Sequence, residues 1–495
     1  MTAGVAAEAP VRHPHELFIG GRWVAPASGD AVDIIDSNTE QIYFSMASAG
    51  ASDVARAVGA ARTAFDEGPW PRMSHAERAE YLRALAAALR DRSDTLADIW
   101  PRESGILHSI ALTSGEAQAG TLEYYADLAA DYAWEEQAPT TPGAGFSMIV
   151  REPVGVVGAI VPWNAPLGLS SHKLAPALLA GCTTVLKAAP EAPASTYVLA
   201  ECAEAVGLPP GVLNVVMADR EASEALVRDP RVDKIAFTGS TLAGRRIASL
   251  MGERIGRVTL ELGGKSPAVI LDDADLDHAA TTVAAAECLL AGQVCASLTR
   301  LIITRSRHDE FVARLADVFS AMKVGNAFDP ASKMGPLVSA RQRERVESYI
   351  ARGVDSGARL VTGGGRPPGL DRGYFIEPTV FADVDNSSII AQEEIFGPVL
   401  TVIPAEDEQD AIRIANDTIY GLNACVFTED VDRARNVAGQ IRSGTVGHNA
   451  FRIDGRIAFG GFKQSGIGRE GGREGLLPYL ETKVVILEGP PERYR

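Results

Sequence analysis

Two rhythms of apolar and polar residues divide the chain. Over residues 52–91 apolar side chains recur at three- and four-residue spacing, most regularly in HAERAEYLRALAAALRDRSDTLADI, which predicts helix. From residue 154 the rhythm changes to short β-branched runs, VGVVGAIVPW, TTVLK, GVLNVV and DKIAFTG, interrupted by helical stretches such as TYVLAECAEAVG. Strands that alternate with helices predict parallel βαβ units with helices on both faces of a sheet. The alternation resumes after LELGGK (260–265) in PAVIL, TRLIITR, FVARLADVFSAMK, VLTVIP, DAIRIAND, NACVFT and GTVGHN. LELGGK therefore reads as a hinge between two α/β domains. Near the N-terminus ELFIGGRWV predicts a small edge hairpin on a Gly-Gly turn, preceded by a flexible leader over residues 1–15. GFSMIVREP (145–153) and YLETKVVILEG (479–489) fit neither sheet, and as strands outside the main body they invite pairing with another subunit.

Composition narrows the function classes. A chain of 495 residues with 46% hydrophobic content can build large cores, and its formal net charge of −17 argues against a general grip on nucleic acid or an anionic membrane. No stretch approaches the ~20 apolar residues of a membrane span, and the N-terminus lacks the apolar region of a signal peptide, so a cytoplasmic location is expected. Cys182, Cys202, Cys288, Cys295 and Cys425 are scattered, without a CxxC pair or a Cys/His cluster, and predict neither disulfides nor a metal site.

Candidate chemistry sits where strands end. No GxGxxG follows the first parallel strand. FTGSTLAG (237–244) takes a strand into a helix, so Ser240 and the first free N–H groups suit a phosphate; a plain strand-to-helix turn explains the same residues. In VPWNAP, Asn164 lies just past a parallel strand, at the edge where ligands of α/β sheets bind, and an Asx-turn is the alternative. Glu261 is a lone acid in an apolar strand followed by two glycines: a general base with raised pKa, or an acid paired with Lys265. Cys295, after Gly-Gln, is a nucleophile or a small core filler.

Taken together, PWNAP, TTVLKAAP, GLPPGVLNVV, FTGST, LELGGKSP, GQVC, EEIFGPVL, NDTIYGLNACVF and FGGFKQSGIGREGG resemble the aldehyde dehydrogenase superfamily over about residues 15–490. The resemblance implies its fold: a Rossmann-like nucleotide-binding domain (1–134 and 154–262), an α/β catalytic domain (263–465), and oligomerisation strands with a C-terminal tail (135–153 and 466–495). It implies Cys295 as nucleophile, Glu261 as general base, Asn164 as oxyanion donor beside the Cys295 N–H, and Lys173 with Glu470 as a proton relay; a surface ion pair is the other reading of that pair. For the cofactor, NAD with NADP as a second candidate, it implies Val161, Pro162, Trp163, Lys187, Gly239, Ser240, Gly244, Leu262, Glu394 and Phe396. Trp163 and Ser240 would meet the pyrophosphate, Lys187 the adenosine ribose, Glu394 the nicotinamide ribose and Phe396 the nicotinamide side, with Gly239 and Gly244 allowing close backbone approach.

Two departures fall on the adenosine side. The family's Lys-x-x-Glu becomes KAAPE, with Pro190 at the acidic place and Glu191 one step on, and the glycine turn after NVV becomes MADREASEAL. Loss of the acid removes a barrier to NADP, yet no arginine is expected beside Lys187 to hold a 2′-phosphate. Ala165, Leu169, His172, Val294, Phe451 and Phe459 are expected at the substrate entrance and favour a hydrophobic aldehyde, long, branched or terpenoid. A homodimer or homotetramer is expected. The competing readings are a coenzyme-A-acylating dehydrogenase, a cysteine hydrolase without nucleotide, and a catalytically silent member kept for binding.

Overall fold

Five parallel strands, Val156–Ile160, Thr183–Ala188, Leu213–Met217, Lys234–Thr238 and Arg257–Glu261, form the heart of an eight-stranded sheet in a computed structural model that describes residues 9–141 and 145–494. All but the last are buried along their whole length, which is why they read as mostly apolar runs: helices cover both faces. One face packs against helices His75–Arg90, Ser114–Asp131, Pro166–Ala180 and Ala194–Ala205, the other against Ala51–Asp66, Arg220–Arg228 and Thr241–Gly252. The expected hairpin is present as Leu17–Ile19 and Arg22–Val24, turned by Gly20 and Gly21 at φ +64° and +73°, and it borders this sheet through Phe18 opposite Val215.

A second, seven-stranded sheet follows LELGGK, with Pro267–Ile270, Arg300–Thr304, Val399–Ala405, Thr379–Ala382 and Cys425–Phe427 parallel. The buried Arg300 guanidinium ties it to the preceding segment, donating to the carbonyls of Lys265 (3.0 Å), Ile414 (2.9 Å) and Ala415 (2.8 Å). No helix among the described residues is long and apolar enough to cross a membrane.

Three sequence expectations change. Residues 1–8 of the leader lie outside the described residues, but 9–15 are fastened rather than flexible: Val11 is buried, the Arg12 N–H donates to Glu201 (2.6 Å), and the His13 ring stacks on Trp23. The two outlying segments pair with each other, Phe146–Pro153 lying antiparallel between Leu480–Leu487 and Glu135–Ala138. Gly466–Ile467, expected in the tail, instead joins the edge of the first sheet beside Leu260 and Glu261. A further hairpin, Ala31–Asp36 with Gln41–Ala47, has no sequence expectation behind it, because Asp33, Ser45 and the polar turn at 37–40 interrupt its alternation.

Candidate active site

In the first sheet the chain adds Thr183–Ala188 and Leu213–Met217 on one side of Val156–Ile160, then returns to place Lys234–Thr238 on the other. At such a reversal the loops leaving neighbouring strands part and open a crevice at their carboxyl ends. Val161 to Asn164 and Gly239 to Thr241 leave here. Two adjoining clefts open between the sheets, of about 730 Å³ and 580 Å³.

The inner cleft brings together Pro162, Trp163, Asn164, Gly239, Ser240, Leu262, Cys295, Glu394 and Phe396. Cys295 is the one cysteine not fully buried. Its thiol is pushed up to about 12, first by burial, then by the charges of Glu394 and Glu261. Asn164 is 6% exposed; its Nδ2 donates to the Gln293 carbonyl (3.0 Å) while Oδ1 has no hydrogen bond, so the Asx-turn alternative is not realised. Glu261 ends its strand with neither carboxylate oxygen hydrogen-bonded. Burial, then Glu470, raises its pKa well above the ordinary carboxylate value. Lys265, the other reading's partner, lies instead in the field of Glu287 and Glu394. Lys173 and Glu470 form a buried pair, Nζ to Oε1 at 2.5 Å, with Nζ also donating to Thr238 Oγ1 (2.6 Å), so the surface-pair reading fails.

The cleft suits a dinucleotide. The free N–H groups at the start of helix Thr241–Gly252 open onto it, with Ser240 as N-cap. The Glu394 carboxylate accepts from Gly264 N (3.1 Å) and keeps its second oxygen for a hydroxyl; burial raises its pKa to about 7. Trp163 and Phe396 meet edge to face at 5.3 Å, one from each sheet. The loop carrying Glu394 and Phe396 is held from helix Ala340–Asp355 by Gln342, which donates to the Phe396 carbonyl (2.6 Å), and Arg345, which donates to that of Glu394 (2.6 Å); isolated surface-type residues of this kind gave no sequence signal. Gly244 lines neither cleft: a Cβ there would lie 2.4 Å from Leu262, so it permits helix–strand packing rather than cofactor approach.

The outer cleft holds Val161, Lys187, Pro190 and Glu191. Burial, opposed by Glu191 and Asp219, lowers Lys187 to about 8. The expectation of no arginine here is corrected: Arg220, Arg246 and Arg341 line the same cleft. Arg341 pairs with Glu191 (2.9 Å) and Arg246 with Glu224 (2.9 Å). These arginines are far apart in sequence and meet only through the fold. The altered turn after NVV opens helix Arg220–Arg228 directly, capped by Asp219.

On the substrate side, helix Pro166–Ala180 is buried except at Gly168, Leu169 and His172, which with Ala165 make one helical stripe leading to Asn164. Gln118 faces Gly168 from helix Ser114–Asp131, and Gly455 lies against the His172 ring. Phe459 exchanges backbone hydrogen bonds with Glu470 (2.7 and 2.8 Å). Val294 packs against the small core of Ala97, Ile106, Ala111 and Leu290, whereas Phe451 packs against the core of the second sheet, a different cluster from the one that holds Leu169.

The sequence model of the aldehyde dehydrogenase family matches residues 23–485. The chain is 45% identical over 480 residues to geranial dehydrogenase of Castellaniella defragrans, covering 97% of this chain and 100% of that one. An aldehyde dehydrogenase of Mycobacterium tuberculosis, solved complexed with NAD+, superposes with a TM-score of 0.93 at 47% identity over 96% of this chain and 98% of that one. A mutant aldehyde dehydrogenase C of Pseudomonas syringae, solved with NAD+ and octanal, gives a TM-score of 0.93 at 38% identity over 99% of this chain and 100% of that one.

Proposed function

This chain belongs to the aldehyde dehydrogenase family, and on that premise we propose that it oxidises a hydrophobic aldehyde to the carboxylate with NAD, through a thioester on Cys295. The observation that carries the reading is that Cys295 and Asn164 line one cleft with Trp163, Ser240, Glu394 and Phe396 and that the charge of Glu261 bears on the thiol. Family resemblance supports a division into a nucleotide-binding domain (1–134 and 154–262), a catalytic domain (263–465) and an oligomerisation element (135–153 and 466–495), from which Gly466–Ile467 depart to border the first sheet.

Cys295 Sγ attacks the aldehyde carbon, and the carbonyl oxygen becomes an oxyanion that Asn164 Nδ2 and the Cys295 N–H stabilise. A thiol in this field reacts only as a neighbouring carboxylate takes its proton, which the raised affinities of Glu261 and Glu394 allow. NAD, held by Trp163, Ser240, Lys187 and Glu394, supplies the hydride acceptor. Collapse of the thiohemiacetal leaves a thioester on Cys295. Glu261, with both oxygens free, accepts a proton from water as the water attacks, and the acid leaves with Cys295 as the leaving thiol. The Lys173–Glu470 pair beside Glu261 serves to pass that proton on. A base poised in this way favours water over coenzyme A as the acyl acceptor. The same group argues against a silent member, and the nucleotide cleft against a plain cysteine hydrolase.

Similarity to geranial dehydrogenase and the apolar stripe of Ala165 and Leu169, with Val294 and Phe459, support a hydrophobic substrate. With a panel of aldehydes, kcat/KM for octanal and geranial should exceed that for betaine aldehyde by on the order of 10²-fold, the effect of a few buried methylenes. The same panel, run with both cofactors, tests the outer cleft. Pro190 neither accepts ribose hydroxyls nor repels a 2′-phosphate, while Arg341 and Arg246 are already paired; NAD should remain the better cofactor with NADP used measurably. Pro190→Glu should move the ratio about tenfold toward NAD, equivalent to roughly 1–2 kcal/mol between a carboxylate and a phosphate near water. A preference for betaine aldehyde, or a ratio untouched by Pro190→Glu, would count against these assignments.

We place the enzyme in the cytoplasm, where reducing conditions suit five unpaired cysteines. Leu480–Leu487 is an edge strand exposing Val484 (59%) and Ile486 (67%), which supports a homodimer or homotetramer joined there. Light scattering at micromolar concentration should give two or four subunits, and a monomeric mass would refute this.

A further inference from the structure

We infer that Gln293 fixes the orientation of Asn164 and so is a positioning residue for the oxyanion donor; the inference rests on the role given to Asn164 above. Gln293 is fully buried, two residues before Cys295. Its backbone carbonyl accepts Asn164 Nδ2 at 3.0 Å. Its side chain donates from Nε2 to the carbonyls of Leu290 (3.0 Å) and Ser104 (3.4 Å), and Oε1 accepts from Val338 N (2.9 Å). Ser104 ends helix Ser93–Ser104, and that helix grips the backbone of the asparagine loop: Trp100 Nε1 donates to the Asn164 carbonyl (2.8 Å) and Ser104 Oγ to that of Trp163 (2.6 Å).

These bonds close a ring through three separate segments, from Asn164 to Gln293, to the end of the helix, and back to Asn164. Its consequence is chemical. An amide has two N–H donors on one side and an acceptor on the other, and if it turned over it would present Oδ1 to a developing oxyanion. With one N–H committed to the Gln293 carbonyl the plane is set, and the second N–H remains for the substrate oxygen. The turn that supplies this carbonyl is itself strained, with Ala291 at φ +48°, and Gly292 at +70° has no room for a Cβ, which would lie 2.3 Å from the Gly397 carbonyl carbon. The Gln293 side chain, bonded to three backbone groups, fixes the position of its own carbonyl.

The test compares Asn164→Ala, Gln293→Met, which keeps shape and loses all side-chain hydrogen bonds, and Gln293→Glu, which keeps the acceptor for Val338 N and loses the donors. Asn164→Ala should lower kcat for octanal by about 10²–10³-fold, as removing one oxyanion donor does. Both Gln293 variants should lower it by about ten- to a hundredfold, the scale of a small misplacement. Alkylation of Cys295 by iodoacetamide forms no oxyanion, and its rate, together with KM for NAD, should stay within about twofold of wild type because the thiol and the cofactor cleft are untouched. Gln293 variants with wild-type turnover beside an impaired Asn164→Ala would overturn the inference and leave the proposed function standing. Loss of alkylation in step with turnover would also overturn it, by reducing Gln293 to a support of the cysteine turn. Full activity in Asn164→Ala would overturn the role of Asn164 itself.

Discussion

Cys295→Ala is expected to lower aldehyde-dependent NADH formation by on the order of 10⁴-fold or more, since a residue that bonds covalently to substrate has no substitute in its site. That is at least ~5 kcal/mol of transition-state stabilisation. The other four cysteines cannot take over: Cys182, Cys202, Cys288 and Cys425 are buried, and burial raises the pKa of each to about 11 or 12. Cys295 has a similarly raised pKa, so proton affinity alone does not distinguish it; access to the cleft and two adjacent carboxylates do. Alanine at this partly buried position removes only the sulfur, so thermal stability and NAD binding should be retained. Turnover above about a tenth of wild type would require another nucleophile.

Glu261→Gln is expected to convert steady turnover into a single burst. The substitution keeps shape and removes the base of the hydrolytic step; with Glu394 left to take the thiol's proton, acylation and hydride transfer proceed once per site, after which hydrolysis slows by about 10²–10⁴-fold. Stopped-flow absorbance should record close to one NADH per active site and then a plateau. The sign of the pH dependence in the wild type follows from the same residue. Its pKa is raised by burial and by Glu470, so the basic form is lost as pH falls through a value above the ordinary carboxylate range. Deacylation should therefore rise with pH above the ordinary carboxylate range, and Glu261→Gln should flatten that limb. Continued linear turnover in the variant would mean that another group activates the water.

The parallel strands were legible in the sequence because a strand covered on both faces is a short, mostly apolar run without strict alternation, as at Val156–Ile160 and Lys234–Thr238. The hairpin Ala31–Asp36 with Gln41–Ala47 was not, since Asp33, Ser45 and the intervening polar turn dilute its alternation. The leader misled through composition: its alanines and prolines carry no helix or strand rhythm, while Val11 is buried, Arg12 is tied to Glu201 and His13 stacks on Trp23, which no local pattern reveals. Within the site, Cys295, Glu261 and Asn164 stood out as chemically unusual residues at strand ends or after a Gly-Gln pair. Arg220, Arg246 and Arg341 did not, because their common location depends on three distant segments. Gln293 was part of a recognised motif without a task, since a glutamine's value lies in which carbonyls it reaches, and that is set by tertiary contact alone.

The most direct measurement is the mass of the Cys295 peptide from Glu261→Gln protein mixed with NAD and octanal, quenched in acid and digested. The account predicts one octanoyl group per chain, on Cys295 alone, formed in step with one NADH. NADH produced without an acyl group on that peptide, or acylation at another residue, would contradict the thioester mechanism.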